Sequence, residues 1–332
     1  MSGPLQLEVS DLHVEIAARH GVVRPIDGVS LEIAAGEAVG LVGESGSGKS
    51  MTLKSILGLL PPDAKVTSGS VVFDGTDLTR LPHSQLNKVR GRRIAMIFQE
   101  PMSALNPVMR VGNQIAEGPR VHLGMSRAQS VERAVDLMRR VGIPEPERRF
   151  RAFPHEFSGG MRQRVMIAMA LSCDPELILC DEPTTALDVT IQDQILRLLA
   201  QLCHESGTSL LFVTHDLPVV AQVCHKVAVM YAGRIVERGT VRDVFGRPLH
   251  PYTLGLLRSA PDVDHPDLSL ESIPGSPPSL TSPPPGCRFH PRCKFAEEDC
   301  KAVEPPLRLL EGDRATACLH YERCLEQIGT ER

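Results

Sequence analysis

Tryptophan is absent from the 332 residues, and only 9 Phe and 3 Tyr supply aromatic rings, so any core must be aliphatic. An excess of one charge is missing too: 36 Lys and Arg against 40 Asp and Glu leave a formal net charge of −4. A chain-wide grip on nucleic acid normally shows as a strong basic excess, so this balance argues against one. No run approaches the roughly 18 consecutive apolar residues that a membrane-spanning helix needs. The opening, MSGPLQLEVSDLHVE, carries acids early and has no apolar h-region, so a cytosolic chain without a secretory signal is expected. In that compartment the nine cysteines are expected as free thiols or metal ligands rather than disulfides.

What is present is ordinary in bulk and uneven in detail. Hydrophobic residues make up 42 % and charged residues 23 %, enough for a sizeable soluble core. From residue 5 to about 250, short β-branched runs alternate with helical patterns, which predicts an α/β domain. Strands are expected at Leu12 to Ile16, Val29 to Ile33, Ala38 to Val42, Ser70 to Phe73, Ile94 to Phe98, Leu177 to Cys180, Ser209 to Thr214 and Val227 to Met230. Asp74-Gly75 after the fourth of these reads as a hairpin turn. A helix with Leu53, Ile56, Leu57 and Leu60 on one face should stop at Pro61-Pro62. Between about 101 and 172 the pattern turns helical, with Val131, Val135, Leu137, Met138 and Val141 as one apolar face. The basic stretches Lys88 to Arg93 and Arg148 to Arg151 read as solvated surface. After about 256 the texture changes. Eleven of the 27 prolines fall between Pro261 and Pro306, which excludes long helices and central strands there. Two regions follow: 1–255 as the main domain, and 256–332 as a proline-rich linker with a small, loop-rich, cysteine-bearing appendage.

Gly43-Glu44-Ser45-Gly46-Ser47-Gly48-Lys49-Ser50 fits the phosphate-loop pattern G-x-x-x-x-G-K-[ST], with a strand before it and a helix after it. Its glycines let successive N–H groups aim at phosphate oxygens, and the helix adds its N-terminal partial charge. Lys49 would then reach the β- and γ-phosphates, and the Ser50 hydroxyl would hold Mg²⁺. Leu177 to Glu182 is an apolar run ending in two acids: Asp181 suits a Mg²⁺ shell, and Glu182 a base that polarises water. Helix capping before Pro183 is the plainer alternative for that pair. Phe157-Ser158-Gly159-Gly160-Met161 opens a further helix with Ser158 as its expected N-cap, a second place for an anion.

The phosphate loop, Gln99, Ser158-Gly159-Gly160, Asp181-Glu182, Ala186-Leu187-Asp188 and Thr214-His215-Asp216 resemble, in order and spacing, the ATP-binding subunits of ABC transporters. Gln99-Glu100-Pro101-Met102-Ser103-Ala104-Leu105-Asn106-Pro107, the FSGGM signature and His250-Pro251-Tyr252-Thr253 resemble the peptide/opine/nickel importer branch. So does the tail, through Ile273-Pro274-Gly275, Gly286-Cys287-Arg288-Phe289, Pro291-Arg292-Cys293, Cys300 and Ala317-Cys318. The resemblance implies an ABC-type P-loop NTPase core with an antiparallel β subdomain and a helical insertion. It implies an ATPase that powers import of peptides, with nickel, opine or another small solute as the alternative. ATP and Mg²⁺ follow, with Gln99 as a Mg²⁺ ligand, Asp188 in the D-loop, and His215 as the switch histidine near the γ-phosphate. Expected partners are two integral membrane permease subunits, a second ATPase subunit and, indirectly, an extracytoplasmic solute-binding protein. Nucleic acid is not among them, and the place is the cytoplasmic face of the inner membrane. Two departures stand out. Met161 replaces a usual Gln, and the position that usually stacks on adenine offers only Arg19 or His20.

Cys287, Cys293, Cys300 and Cys318 are separated by 5, 6 and 17 residues, neither the close pairs of a zinc ribbon nor the ferredoxin run. A segment so poor in apolar residues still needs a staple, and a metal is the natural one in a reducing compartment. The resemblance implies a [4Fe-4S] cluster on these four thiolates. Zinc, with His290 or His320 as a replacement ligand, and no metal at all both stay open. Cys324 lies outside the pattern, and Cys173, Cys180, Cys203 and Cys224 read as small core hydrophobes. A soluble ABC-type ATPase acting on DNA or the ribosome is the competing class. The interval of 109 residues from Lys49 to Ser158 leaves no room for long coiled-coil arms, and only one phosphate loop is present.

Overall fold

The β-branched runs do become strands. The computed structural model describes residues 4–19, 21–185, 187–259 and 271–330. By its internal contacts the chain forms two units. One holds Pro4, Ala34–Ala38 and Arg80–Phe212; the other holds Leu5–Ile33, Val39–Thr79 and the described residues from Val213 on.

The second unit carries a four-stranded sheet in the order β2-β1-β4-β5, with β1 Leu5–Ala18, β2 Gly21–Ala34 (its last residue counted in the first unit), β4 Ala64–Phe73 and β5 Thr76–Asp77. β1 runs antiparallel to β4, and Leu7 opposes Phe73 while Val14 opposes Val66. Leu7, Val9, Leu12 and Val14 are all buried, although 9 and 12 differ by an odd number. A register shift between Ser10 and His13, with Asp11 at φ 45°, returns the later residues to the buried face. That bulge explains why the period-2 pattern shows only half of this strand in the sequence. Asp74 and Gly75, at φ 46° and 73°, make the expected two-residue turn.

The same unit holds strands in the order β11-β12-β10-β9-β3: β3 Ala38–Val42, β9 Lys226–Tyr231, β10 Arg234–Thr240, β11 Arg308–Leu309 and β12 Ala315–Thr316. β3 pairs in parallel with β9, Val42 opposite Val229, and every residue of β3 is buried. The helix Lys49–Ile56 follows β3 and ends before the prolines, because the chain leaves the helix at Leu57. The tail joins these strands: β12 pairs with β10, and Ala317 N–H donates to Val236 O.

In the first unit, β6 Ile94–Ile97 pairs in parallel with β7 Leu177–Asp181, and β8 Ser209–Thr214, which continues into the second unit, lies next to β7. β6 stops one residue short of the expected Phe98. Helices Val111–His122, Arg127–Arg140 and Gly159–Leu171 pack together as the helical segment. On Arg127–Arg140 the buried face is Ser130, Ala134, Leu137 and Met138, continued by Val141. Val131 and Val135 sit at its edge, half-buried, so the inward stripe is rotated from the expected one by about one residue. Among the described residues, no helix is long and apolar enough to cross a membrane.

Candidate nucleotide site and cysteine cluster

β3 delivers Gly43 from the interior of the second unit, and the loop Gly43–Gly48 turns into the helix that starts at Lys49. Two glycines are required by the protein itself. Gly43 has φ 152°, and a Cβ there would meet Met230 O at 2.1 Å. Gly48 has φ 112°, and its Cβ would meet Pro25 O at 2.1 Å. Gly233 N–H donates to Ser47 O at 2.8 Å, so the loop is also held from β10's turn. Lys49 is 4 % exposed, and its Nζ donates to Gly43 O at 2.7 Å and Glu44 O at 3.0 Å. Ser47 Oγ is buried without a hydrogen-bond partner, an unsatisfied group inside a loop shaped for an anion. Ser45 and Gly46 are exposed, and Ser50 is half-buried in the first helical turn. His215 follows β8 in this unit and is exposed.

The first unit holds Gln99, Ser158 to Gly160, Asp181, Glu182 and Asp188. Parallel pairing sets Ile97 opposite Cys180, so the residues just past both strand ends emerge side by side. Gln99 and Glu182 meet there, with Nε2 donating to Oε2 at 3.4 Å. Glu182 Oε2 also accepts from Thr185 Oγ1 at 3.1 Å. Asp181 closes β7 at 7 % exposure, and Glu182 adopts φ 45°, the left-handed region that a non-glycine residue rarely occupies. Neither acid caps a helix. The next helix, Val189–Ser206, is capped by Asp188, whose Oδ1 accepts from Ile191 N–H at 3.0 Å. Ser158 caps Gly159–Leu171 as expected, its Oγ accepting from Met161 N–H at 3.4 Å. That contact uses the backbone of Met161, so it does not depend on the side chain that departs from the family pattern. Ala186 and His20 lie outside the described residues, and Arg19 is exposed in the turn after β1.

In the tail, Cys287, Cys293, Cys300 and Cys318 line one small cavity together with His290, His320, His250 and Phe295. Cys287 N–H donates to Cys300 O at 2.8 Å. Burial raises the Cys293 thiol to about 11 and the Cys318 thiol to about 12, and neighbouring cysteines push the same way. No three of these four sulfur atoms lie within 4.8 Å of one another, whereas ligand atoms of Asp299, Cys300 and His320 do. Cys324, set apart by the sequence pattern, is fully buried and feels the charges of Cys318 and Cys293. Its place on the helix Glu322–Thr330 gave no spacing signal to find it by. By contrast, burial alone raises Cys203 and Cys224 to about 12.

The model of the family "ABC transporter" matches residues 26–185, and that of "Oligopeptide/dipeptide transporter, C-terminal region" matches residues 236–300. A probable peptide ABC transporter ATP-binding protein of Sinorhizobium fredii, y4tR, is 52 % identical over 95 % of this chain and 94 % of its own length. The oligopeptide transport ATP-binding protein OppD of Salmonella typhimurium is 49 % identical over 94 % of this chain and 92 % of its own. The dipeptide transport ATP-binding protein DppD of Bacillus subtilis is 48 % identical, over 94 % and 93 %. Among solved structures, the dimeric ATP-binding cassette MJ0796 with ADP and phosphate aligns at TM-score 0.64 and 29 % identity, covering 71 % of this chain and 99 % of that one. The chain therefore belongs to the ATP-binding proteins of ABC transporters, in the branch whose members carry the oligopeptide/dipeptide C-terminal region.

Proposed function

We propose that this chain is the ATP-hydrolysing subunit that powers peptide import through membrane-embedded partner chains. The observation that carries this reading is the match to peptide-transport ATP-binding proteins across nearly the whole chain, tail included. The preformed phosphate loop, with its buried and unsatisfied Ser47 hydroxyl, supports the ATPase half of it.

Lys49 binds the β- and γ-phosphates by exchanging the carbonyls of Gly43 and Glu44 for phosphate oxygens. Ser50, Gln99 and Asp181 are the oxygen donors that suit Mg²⁺, and the buried carboxylate of Asp181 fits a hard cation. Mg²⁺ supplies charge neutralisation to the phosphates when bound. Glu182 orients and deprotonates the attacking water, Gln99 and Thr185 hold its carboxylate, and His215 contacts the γ-phosphate. Ser158, Gly159, Gly160 and Asp188 meet the ATP held by a second ATPase subunit, where the exposed helix terminus supplies backbone donors to the γ-phosphate. The two ATPases of the pair are different chains, a homodimer being the alternative. They sit on two permease subunits at the cytoplasmic face of the membrane, served by an extracytoplasmic solute-binding protein.

The four tail thiols are the ligands of a [4Fe-4S] cluster. The four cysteines line one cavity, which supports a shared occupant. A cluster supplies a covalent staple to a tail with little core. Anaerobic purification with iron and sulfide analysis tests this, and a colourless protein with stoichiometric zinc overturns it. The transport reading is tested by isolating the chain from its native membrane. Co-purification with two integral membrane permease subunits is expected, and recovery free of any membrane partner would oppose it.

A further inference from the structure

The residue before Cys293 does not line the cysteine cavity but bonds a residue of the phosphate loop. Arg292 has a side chain 5 % exposed, and its Nη1 and Nη2 donate to Glu44 Oε2 at 2.6 Å and Oε1 at 2.9 Å. This two-bond fork is the geometry in which arginine and a carboxylate bind most strongly. Arg292 Nε donates to Pro274 O at 2.8 Å, and the rings of Tyr231 and Phe289 lie 5.8 and 5.9 Å from the guanidinium carbon. The carboxylate of Glu44 raises the pKa of Arg292 further, so the guanidinium stays charged.

Glu44 is the second residue of the phosphate loop, and it is held in three directions. Its carboxylate takes Arg292, its N–H donates to Tyr252 Oη at 2.7 Å, and its carbonyl accepts from Lys49 Nζ at 3.0 Å. Tyr231, Tyr252 and Phe289 pack ring against ring at 4.6 to 5.4 Å, so the arginine and the tyrosine share one rigid support. When Lys49 turns to phosphate it gives up the Gly43 and Glu44 carbonyls. Tyr252 then still accepts from the Glu44 N–H and Arg292 still holds its carboxylate, while the Glu44 carbonyl keeps the hydrogen bond from Ser47 N–H at 3.2 Å. An exposed ion pair would contribute little here. Here the arginine is buried and the carboxylate half-buried, so removing Glu44 leaves the guanidinium's charge stranded beside the loop.

We propose that Arg292 is a positioning residue for the phosphate loop, and that through Glu44 the cysteine-bearing tail sets the affinity of this site for ATP. The contacts alone carry the proposal, and it requires no particular occupant of the cysteine cavity.

The test is a double-mutant cycle in the full-length protein, read by titration with a fluorescent ATP analogue and by thermal melting. Arg292→Gln and Glu44→Gln are each expected to weaken binding about tenfold, within the range typical of coupled sites. The double variant should be no weaker than either single one, because the same contact is lost in each. In the holocomplex carrying Arg292→Gln, KM for ATP should rise, with kcat at saturating ATP retained. Arg292→Lys keeps the charge and loses the fork, so it should fall between wild type and Arg292→Gln; it carries the test if the Gln variant does not fold. Affinity within about twofold of wild type alongside a lowered melting temperature would overturn the proposal. Losses that multiply in the double variant would overturn it as well.

Discussion

The phosphate loop and the loop carrying Glu182 belong to one ATPase, yet they are held by opposite means. Around Gly43 and Gly48 no Cβ fits against the neighbouring backbone, and buried side chains add to the hold: Lys49 is buried, and Glu44 is gripped by Arg292 and Tyr252. Around Glu182 the carboxylate is held by exposed side-chain hydrogen bonds from Gln99 and Thr185, and Thr185 also bonds its carbonyl, on a residue at φ 45°. Backbone pins make a binding surface that is ready before the ligand arrives. Side-chain tethers make a group that can be repositioned at small cost, which suits a base that must act only at one stage. Binding and hydrolysis should therefore be separable by mutation.

The largest effect is expected at the tethered side. Glu182→Gln should lower ATP turnover in the full complex by about 10²–10⁴-fold while ATP affinity is retained, as measured by phosphate release and nucleotide titration. Near-normal turnover would remove Glu182 from the base role. At the pinned side, Lys49→Ala should weaken ATP binding and lower turnover by about 10²–10³-fold, because a preorganised charge on the phosphates is lost. Unchanged affinity in that variant would break the distinction between the two loops. The cysteines sharpen the same contrast between tail and core. On the proposed cluster ligation, Cys293→Ser should weaken metal retention by at least about 10²-fold, read as iron per chain. Cys203→Ser, in a site where burial alone acts on the thiol, should leave metal content unchanged and cost about 1–3 kcal/mol of stability in chemical denaturation. The smallest effect is at Thr185. Replacing it with Val removes one exposed tether of Glu182 and should change turnover by about two- to fivefold.

Much of the candidate nucleotide site is legible because its signals are local. The glycines, Lys49 and the apolar β3 are contiguous, and so are the β7 run and its terminal acids; Ser158 caps its helix as its residue type predicts. What is not legible depends on breaks in period or on distance. The bulge at Asp11 puts Leu12 and Val9 on the same face, which an alternating pattern reads as two different strands. The apolar face of Arg127–Arg140 includes Ser130 and Ala134, small residues that a search for Val and Leu passes over. Glu44 and Arg292 are 248 residues apart, and nothing in either motif pairs them. The left-handed backbone of Glu182 has no sequence signal either, since glutamate does not favour it. Local chemistry is written in the chain, whereas the contacts that tune it arise only from the folded arrangement.

Uptake of a labelled oligopeptide into vesicles bearing the reconstituted complex tests the transport function most directly. With ATP and Mg²⁺ on the side of this chain, peptide should accumulate and ATP hydrolysis should rise with peptide-loaded binding protein; the Glu182→Gln complex should do neither. ATP hydrolysis that proceeds without peptide movement, and at the same rate with or without the membrane partners, would contradict it.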